Sequence, residues 1–312
     1  MAVIANQINK DAVNTALDTE FVKNFQGESD RLAEILGIFG VETIAAGTAL
    51  KMLKVTGTLN DNKTDATTTL PGTGTFSTGS SSGSKYVEGD EVALSKFGTS
   101  WEVVGEATAK PYRKMTTAQA IQKAGYEAAC LKTDAKMGSL VRNGIITDFF
   151  KFLDNGTGSA NGKGLQATLA NADAALANKM EDNGDAANRI IHFINREDAA
   201  AYLGTAAITM QNAFGMTYLQ NFLGVTDVFL TNKVTKGKLY ATSAENIHIF
   251  GIDFAELSRA GLSYTTSANG LIGVAHSPAY DRVSVETNVL TGMLLFPEVK
   301  DYIVKADVQA LA

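Results

Sequence analysis

A segment rich in Gly, Ser and Thr between two alternating apolar stretches constrains the fold of this 312-residue chain more than any other feature. Residues 57–84 contain 18 Gly, Ser or Thr among 28 positions. Such a segment buries too little apolar surface to offset the entropy lost when it becomes ordered. Apolar residues alternate with polar ones around Val55, and again at Val92 and Leu94, after which Trp101 and Val103 follow; this pattern predicts two half-buried strands. We therefore predict an extended β-hairpin over residues 50–109 with a flexible tip at 57–84.

The same segment contains Gly79-Ser-Ser-Ser-Gly83, which matches the G-x-S-x-G pattern of serine hydrolases. A nucleophile of that kind needs a strand before it and a helix after it, so that the serine is held on a sharp turn. The flanking sequences TGTFST and SKYVEG predict no helix. A hydrolase that uses Ser81 is therefore the least favoured function.

Composition limits the class of protein. The chain is 45% hydrophobic and 19% charged, so it can bury a sizeable core. A net charge of −6 argues against a dedicated DNA-binding protein but permits one face to meet nucleic acid. The single Cys130 permits no internal disulfide and no cysteine-based zinc site. We expect neither a signal peptide nor a membrane span, which disfavours a secreted fibre protein and favours production in the cytoplasm.

The strongest helix signal covers residues 116–153, where apolar and small residues recur at three- and four-residue steps. Thr116 and Gln119 form a possible capping box, and residues 154–156 (Asp-Asn-Gly) are a stop signal. A continuous helix of this length spans roughly 55 Å. It would suit the backbone of an elongated molecule.

Shorter elements flank this helix on both sides. Near the N-terminus, apolar residues at four-residue steps predict a short amphipathic helix that docks on its own body or on a neighbour (Val13, Leu17, Phe21, Phe25). A buried strand at 189–194 precedes a helix that Asn195 caps and Gly204 ends. Strands are also predicted at 227–232, 238–243, 246–251, 282–288, 291–297 and 301–308, with a turn near Asn288. An Ala-rich helix lies within 157–189. This mixture indicates an α+β fold.

Catalytic and cofactor patterns are weak throughout the sequence. His192, His248 and His276 show no metal-ligand spacing, and a triad of His276 with Ser277 and Asp281 is too local in sequence. The glycine-rich residues 155–164 follow a helix and lack G-K-[ST], so they are predicted to be a helix stop and a loop. We predict no catalytic residue, no metal site and no cofactor.

Basic residues are concentrated between positions 110 and 151. This segment contains three acidic residues and eight basic ones, which are Lys110, Arg113, Lys114, Lys123, Lys132, Lys136, Arg142 and Lys151. Two interpretations of this excess of basic residues remain open. The residues lie on a solvated helix face, or they form a face that meets a polyanion through nonspecific phosphate contacts. No aromatic platform accompanies the charges, so base recognition is not expected.

Several segments together resemble the major capsid proteins of tailed bacteriophages, which have the Hong Kong 97-type fold. Residues 88–122 resemble the returning strand of that family's extended loop and the start of its spine helix. Residues 189–204 and 227–251 resemble its axial domain. Residues 279–308 resemble the terminal strands of its peripheral domain. The resemblance covers most of the chain and rests on the pattern of elements.

The resemblance implies a domain organisation. It consists of an N-terminal arm (1–49), the extended loop (50–109), a peripheral domain with the spine helix (110–184), an axial domain (185–274) and terminal strands that return to the peripheral domain (275–312).

The resemblance also implies a function. The chain would self-assemble into hexamers and pentamers of an icosahedral virion shell around double-stranded DNA, with a portal and a separate scaffolding protein, and assembly would occur in the host cytoplasm. Contacts between subunits would involve the loop residues Phe76, Tyr86 and Val92 and the arm residues Phe21 and Phe25. The residues facing DNA would be Lys123, Lys132, Lys136 and Arg142.

Two further possibilities accompany the resemblance. Some relatives cross-link a loop lysine to an asparagine, but no motif singles out Lys63, Lys85 or Asn288 for that chemistry. An encapsulin-like container that holds cargo enzymes is the alternative function with the same fold.

Overall fold

The computed structural model describes residues 10–27, 30–58, 96–186, 189–205, 218–220, 227–254, 257, 259 and 261–310. Contacts between Cα atoms divide the chain into two compact units. One unit comprises Met1–Thr48 together with Glu106–Ala312, and the other comprises Ala49–Gly105. Each unit is described by itself below.

The structure describes the bounds of six α-helices. They are α1 (Lys10–Gly27), α2 (Asp30–Phe39), α3 (Ala118–Ala124), α4 (Lys132–Leu153), α5 (Gly164–Asn183) and α6 (Arg196–Thr205). A π-helical turn, Glu127–Leu131, precedes α4. None of these helices is both long and apolar enough to cross a membrane.

The described residues contain fifteen strands. They are β1 (Glu42–Ala45), β2 (Ala49–Thr58), β3 (Lys96–Glu106), β4 (Lys110–Thr117), β5 (Gly158–Lys163), β6 (Ile190–Asn195), β7 (Tyr218–Gln220), β8 (Asp227–Thr231), β9 (Lys238–Ser243), β10 (Ile247–Asp253), β11 (Thr265–Thr266), β12 (Ile272–Ala279), β13 (Ser284–Thr291), β14 (Met293–Pro297) and β15 (Ile303–Gln309).

Three sheets belong to the larger unit. The largest has the strand order β5-β15-β9-β6-β8-β7 and mixes parallel with antiparallel pairs. A four-stranded sheet has the order β11-β12-β13-β4, and every pair in it is antiparallel. A three-stranded sheet has the order β1-β10-β14. In the smaller unit β2 pairs with β3. Mixed sheets with separate helices make an α+β fold.

Two large apolar clusters form the core of the larger unit. In the first, aromatic rings of α2, α4 and β6 meet: the ring centroids of Phe39 and Phe149 are 5.6 Å apart, and those of Phe149 and Phe193 are 5.9 Å apart. In the second, α5 packs on the six-stranded sheet through Leu169 and Leu176, which are fully buried. Tilted and edge-on ring pairs of this kind add to the stability that burial of their area provides.

The predicted continuous helix over 116–153 is wrong in its first part. Strand β4 continues to Thr117, and the chain breaks at Gly125, which has φ 80° and ψ 157°. Residues with a side chain rarely adopt this conformation, so glycine is suited to end α3 there. The cap is also displaced by one residue, because Thr117, and not Thr116, accepts a hydrogen bond from the Ala120 N–H. The predicted stop is confirmed, since α4 ends at Leu153.

The terminal strands differ from the prediction in the position of one turn. No turn occurs near Asn288, because β13 runs without a break to Thr291 and Gly292 separates it from β14. A Cβ atom at Gly292 would lie 1.8 Å from Cδ1 of Ile252, so a larger residue here would require the Ile252 side chain to move. The strands beyond residue 275 are divided among three sheets, and β15 joins β9 and β5.

The helix predicted after the strand at 189–194 begins as expected. All six residues of β6 are buried, and Asn195 Oδ1 accepts a hydrogen bond from the Glu197 N–H at 2.8 Å. Helix α6 continues one residue beyond Gly204, to Thr205. The glycine-rich residues 155–164, predicted to be a loop, instead contain the edge strand β5.

Candidate interaction surfaces

The hairpin unit Ala49–Gly105 exposes apolar side chains on both described strands. On β3, Phe97, Trp101 and Val103 expose 65, 68 and 61% of their surface, and their odd-numbered positions place them on one face. On β2, Leu53 and Val55 are exposed as well. The sequence predicts half-buried strands here, but the chain by itself leaves these side chains uncovered. Large exposed apolar surfaces usually mark interaction sites.

Strand β2 continues through Gly57 and Thr58, the first residues of the predicted tip. The remainder of the tip lies outside the described residues, and so do several residues singled out from the sequence. These are the predicted contacts Phe76, Tyr86 and Val92, the candidate nucleophile Ser81 and the loop lysines Lys63 and Lys85.

The predicted arm contacts Phe21 and Phe25 lie in the chain's own core. Helix α1 packs against α4 and β12, and these two side chains are 5 and 2% exposed. A Cβ atom at Gly138 of α4 would lie 3.5 Å from the Phe21 ring, so the small residue lets the ring pack close to the helix. Because both rings are already covered, they offer no surface to a neighbouring subunit. The prediction for these two residues is corrected accordingly.

The basic residues between 110 and 151 divide into two groups. Four are engaged within the chain: Lys110 pairs with Asp148, Arg113 with Glu286 and Lys114 with Asp134, while Arg142 is buried. The other four are exposed: Lys123, Lys132, Lys136 and Lys151.

Arg142, predicted to face DNA, instead lies at the end of α1. Its Nη1 donates hydrogen bonds to the carbonyl oxygens of Asn24 (2.9 Å) and Phe25 (3.1 Å). The guanidinium carbon also lies 5.7 Å from the centre of the Phe25 ring. Carbonyl oxygens in the last turn of a helix receive no hydrogen bond from an N–H of the same helix. A cation near this end of the helix is therefore favourable. Arg142 therefore caps α1 and is not available to DNA.

A buried group of charged side chains joins α1 to the body of the larger unit. His276 of β12 lies between two carboxylates: its Nδ1 is 2.5 Å from Asp18 Oδ1, and its Nε2 is 3.4 Å from Asp134 Oδ2. Asp134 also accepts hydrogen bonds from Lys114 Nζ at 2.5 Å and from Thr287 Oγ1 at 3.1 Å. We call these five residues the α1 anchor.

The carboxylates determine the charge of His276. Burial alone would lower its pKa, but hydrogen bonds and the negative charges of Asp134 and Asp18 raise the pKa to about 9. Burial would likewise raise the pKa of Asp134, but hydrogen bonds from His276 and Lys114 lower it. The anchor therefore holds a charged imidazolium and an ionised Asp134 at neutral pH.

The anchor is not predicted from the sequence, in which His276 shows no metal-ligand spacing and no triad. One signal was available: Ile272, Val274 and His276 alternate along one face of β12, and the two apolar residues are fully buried. A histidine that continues such a face is expected to be buried, and a buried histidine needs partners. Its partners come from Asp18 and Asp134, which are 258 and 142 residues away in sequence.

The other two histidines have different surroundings. His192 in β6 is fully buried, and neither ring nitrogen has a hydrogen-bond partner among the described residues. Burial lowers its pKa to about 4, so its 3.7 Å approach to Asp173 is not an ion pair at neutral pH. His248 is half-exposed and lies 2.7 Å from Glu298. Among the described residues, no group of three or more His, Cys, Asp or Glu side chains could hold a metal ion.

Solved structures of two cyanophage capsids resemble this chain over most of its length. The capsid of cyanophage P-SCSP1u matches with a TM-score of 0.53 and 9% sequence identity, covering 88% of this chain and 87% of that chain. The capsid of cyanophage A-1(L) matches with a TM-score of 0.52 and 11% identity, covering 89 and 93%.

A third solved structure, the holo-SrpI encapsulin complex from Synechococcus elongatus, matches with a TM-score of 0.53 and 9% identity, covering 92% of this chain and 91% of that chain. No protein-family model and no curated protein sequence matches the chain. The chain therefore has the Hong Kong 97-type fold, and the predicted fold class is confirmed. At identities near 10%, the likeness defines the fold.

Proposed function

We propose that the chain is a major capsid protein that assembles into hexamers and pentamers of an icosahedral shell around double-stranded DNA. The observation that carries this proposal is the Hong Kong 97-type fold over about nine-tenths of the chain, together with a hairpin unit whose apolar side chains lie open to solvent. In this role the protein is structural and has no catalytic residue.

The hairpin unit supplies the contact between copies. Burying a large apolar side chain contributes about 1.5–3 kcal/mol, and β3 alone exposes Phe97, Trp101 and Val103. A stable interface covers on the order of 800 Å² on each partner, and an extended strand pair provides such an area over a short length of chain. A second copy that covers β2 and β3 removes these side chains from water. Phe76, Tyr86 and Val92 remain proposed contacts of the same loop.

Packaged DNA is contacted through the exposed lysines Lys123, Lys132 and Lys136. Lys132 and Lys136 are one helical turn apart on α4, so their ammonium groups extend from one side of the helix. Such contacts bind phosphate without reading sequence and weaken as salt rises. A separate scaffolding protein and a portal complete the proposed assembly in the host cytoplasm.

An encapsulin-like container for cargo enzymes is the second candidate. The encapsulin of Synechococcus elongatus has the same TM-score as the capsid of cyanophage P-SCSP1u, 0.53, so the fold does not discriminate between the two. The two functions differ in their contents, which are DNA in one case and protein in the other.

The contents of assembled particles test the proposal. Particles purified from the organism that makes them would be treated with nuclease, and the ratio of absorbance at 260 and 280 nm would be measured before and after disruption. The capsid function predicts protected double-stranded DNA and an absorbance spectrum dominated by nucleic acid. Particles that contain a second protein and no protected DNA would contradict it and favour the container.

A further inference from the structure

The α1 anchor has a geometry that requires a charged histidine. Both ring nitrogens of His276 face carboxylate oxygens, at 2.5 Å for Asp18 and 3.4 Å for Asp134. An ionised carboxylate only accepts hydrogen bonds, so each ring nitrogen must carry a proton for both contacts to form. A neutral imidazole has one N–H and would leave one carboxylate facing a lone pair.

The ring is also shielded from water. The side chain of His276 is 3% exposed, and those of Asp18 and Asp134 are 11 and 9% exposed. In such surroundings a charge interacts more strongly with its neighbours than at the surface, and an uncompensated carboxylate is correspondingly unfavourable.

Each element around the ring contributes a definable group. Helix α1 contributes Asp18 and α4 contributes Asp134. Lys114 of β4 reaches Asp134, and Thr287 of β13 lies opposite His276 in the sheet register. Cys130 and Tyr126 interact electrostatically with Asp134 from the region before α4, and burial raises the pKa of both. Glu20 of α1 also acts electrostatically on Tyr126. Asp18 is the α1 residue that contacts the ring of His276 directly.

We propose that the charge on His276 is a latch that strengthens the docking of helix α1 on the body of the protein, and that loss of this charge shifts α1 toward a released state. Asp134 keeps two hydrogen-bond donors besides His276, so it remains satisfied when the ring becomes neutral. Within the anchor, Asp18 contacts His276 and neither Lys114 nor Thr287, and the Asp134 carboxylate lies on the other side of the ring. The consequence of neutralising the ring therefore falls on α1, and this inference does not depend on the proposed function.

The direction of the pH effect follows from the raised pKa of about 9. The latch is closed below the ordinary histidine pKa of about 6.5 and through neutral pH, and it opens as pH rises through 9. Each pKa unit that the contact with Asp18 contributes corresponds to about tenfold in the equilibrium between docked and released α1.

Hydrogen exchange of the full chain, followed by mass spectrometry, measures release of α1. At pH 7.5 we expect His276→Gln to raise the exchange rate of α1 peptides by about tenfold or more, because glutamine cannot carry the charge. The matched control is His248→Gln, which removes the half-exposed histidine beside Glu298 and leaves α1 exchange unchanged. Equal exchange of α1 in the wild type and in His276→Gln would overturn the proposal.

Asp18→Asn provides a second variant in case His276→Gln fails to fold, since its change lies on α1 and leaves Asp134 paired with Lys114. In the wild type, exchange of α1 should accelerate between pH 7.5 and 9.5 beyond the intrinsic effect of base. In Asp18→Asn that extra acceleration should disappear. If both proteins show the same extra acceleration, or if neither shows any, the latch does not exist.

Discussion

The pKa values of two buried histidines in this chain are shifted in opposite directions. Burial lowers the pKa of His192 to about 4, whereas the two carboxylates around His276 outweigh burial and raise its pKa to about 9. The residue type is the same, so the surroundings alone decide which form is favoured. Stability of the larger unit therefore depends on pH on both sides of neutrality.

His192 makes the folded chain sensitive to acid. Its pKa is about 6.5 in the unfolded state and about 4 in the folded state, so its contribution is intact above pH 6.5 and is lost as pH falls toward 4. The loss is at most about 3 kcal/mol. We expect His192→Leu to flatten the decline in the free energy of unfolding between pH 6.5 and 4, measured by urea denaturation of the unassembled chain.

The control for this experiment is His248→Leu, which alters a half-exposed histidine. Its profile of stability against pH should follow that of the wild type over the same range. If His192→Leu also follows the wild-type profile, the buried neutral histidine is not a source of acid sensitivity.

Arg142 and Lys136 separate a structural cation from a surface cation on the same helix. Arg142→Met removes two hydrogen bonds to the end of α1, and we expect the free energy of unfolding to fall by about 1–3 kcal/mol. Lys136→Met changes an exposed side chain, so its effect should stay within about 0.5 kcal/mol. Urea denaturation of both variants provides the comparison. Equal effects would refute the capping role of Arg142.

Among the secondary-structure elements, Gly125 ends α3 and so fixes where the helical segment that leads into α4 begins. Its φ of 80° with ψ of 157° is open to glycine and unfavourable for other residues. We expect Gly125→Ala to lower the free energy of unfolding by about 1–3 kcal/mol. Gly144→Ala is the matched control: a Cβ atom at this helical position meets nothing within 4 Å, and the change should stabilise the chain by about 0.5–1 kcal/mol.

Thermal or urea unfolding of these two glycine variants decides the point. A destabilisation by Gly144→Ala as large as that by Gly125→Ala would mean that the loss reflects added bulk in this region. The destabilisation by Gly125→Ala would then be no evidence for a backbone conformation at Gly125 that requires glycine.

Elements with strong local signals could be predicted from the sequence, and elements that depend on distant partners could not. The stop after Leu153 and the cap at Asn195 follow from turn and capping residues, and both are present. The break at Gly125 was missed because the apolar spacing continues across it, so periodicity alone cannot reveal a change of backbone direction. Asn288 suggested a turn, but its pairing with Ala275 and Arg113 keeps β13 extended.

The candidate surfaces show the same division at the scale of single side chains. Lys132 and Lys136 are exposed, as a polar helix face predicts. The same charge pattern predicts that Arg142 is exposed. Arg142 is buried instead, because the end of α1, more than a hundred residues earlier in the sequence, lies over it. No local pattern encodes that contact.

At the scale of the whole molecule, the exposed face of the hairpin should be covered by a second copy. Trp101 is the only tryptophan of the chain and is 68% exposed, so its fluorescence reports that event directly. We expect a blue shift of the emission on assembly and a loss of assembly in Trp101→Lys, with little change in the stability of the unassembled chain.

The control for Trp101→Lys is Ser100→Lys, which introduces the same charge on the opposite face of β3. It should reduce particle yield less than Trp101→Lys does. Unshifted tryptophan emission in assembled particles would show that this face of the hairpin is not the contact between copies.

Electron microscopy of the purified protein shows whether copies of this chain build a closed shell. Negative-stain images at high protein concentration should show uniform polyhedral particles or rings of five and six subunits. A chain lacking residues 60–84 should form these particles poorly, because the proposed contact loop is shortened. Dispersed monomers in every condition would contradict shell formation. Normal and stable shells from the shortened chain would show that the hairpin is not the contact between copies.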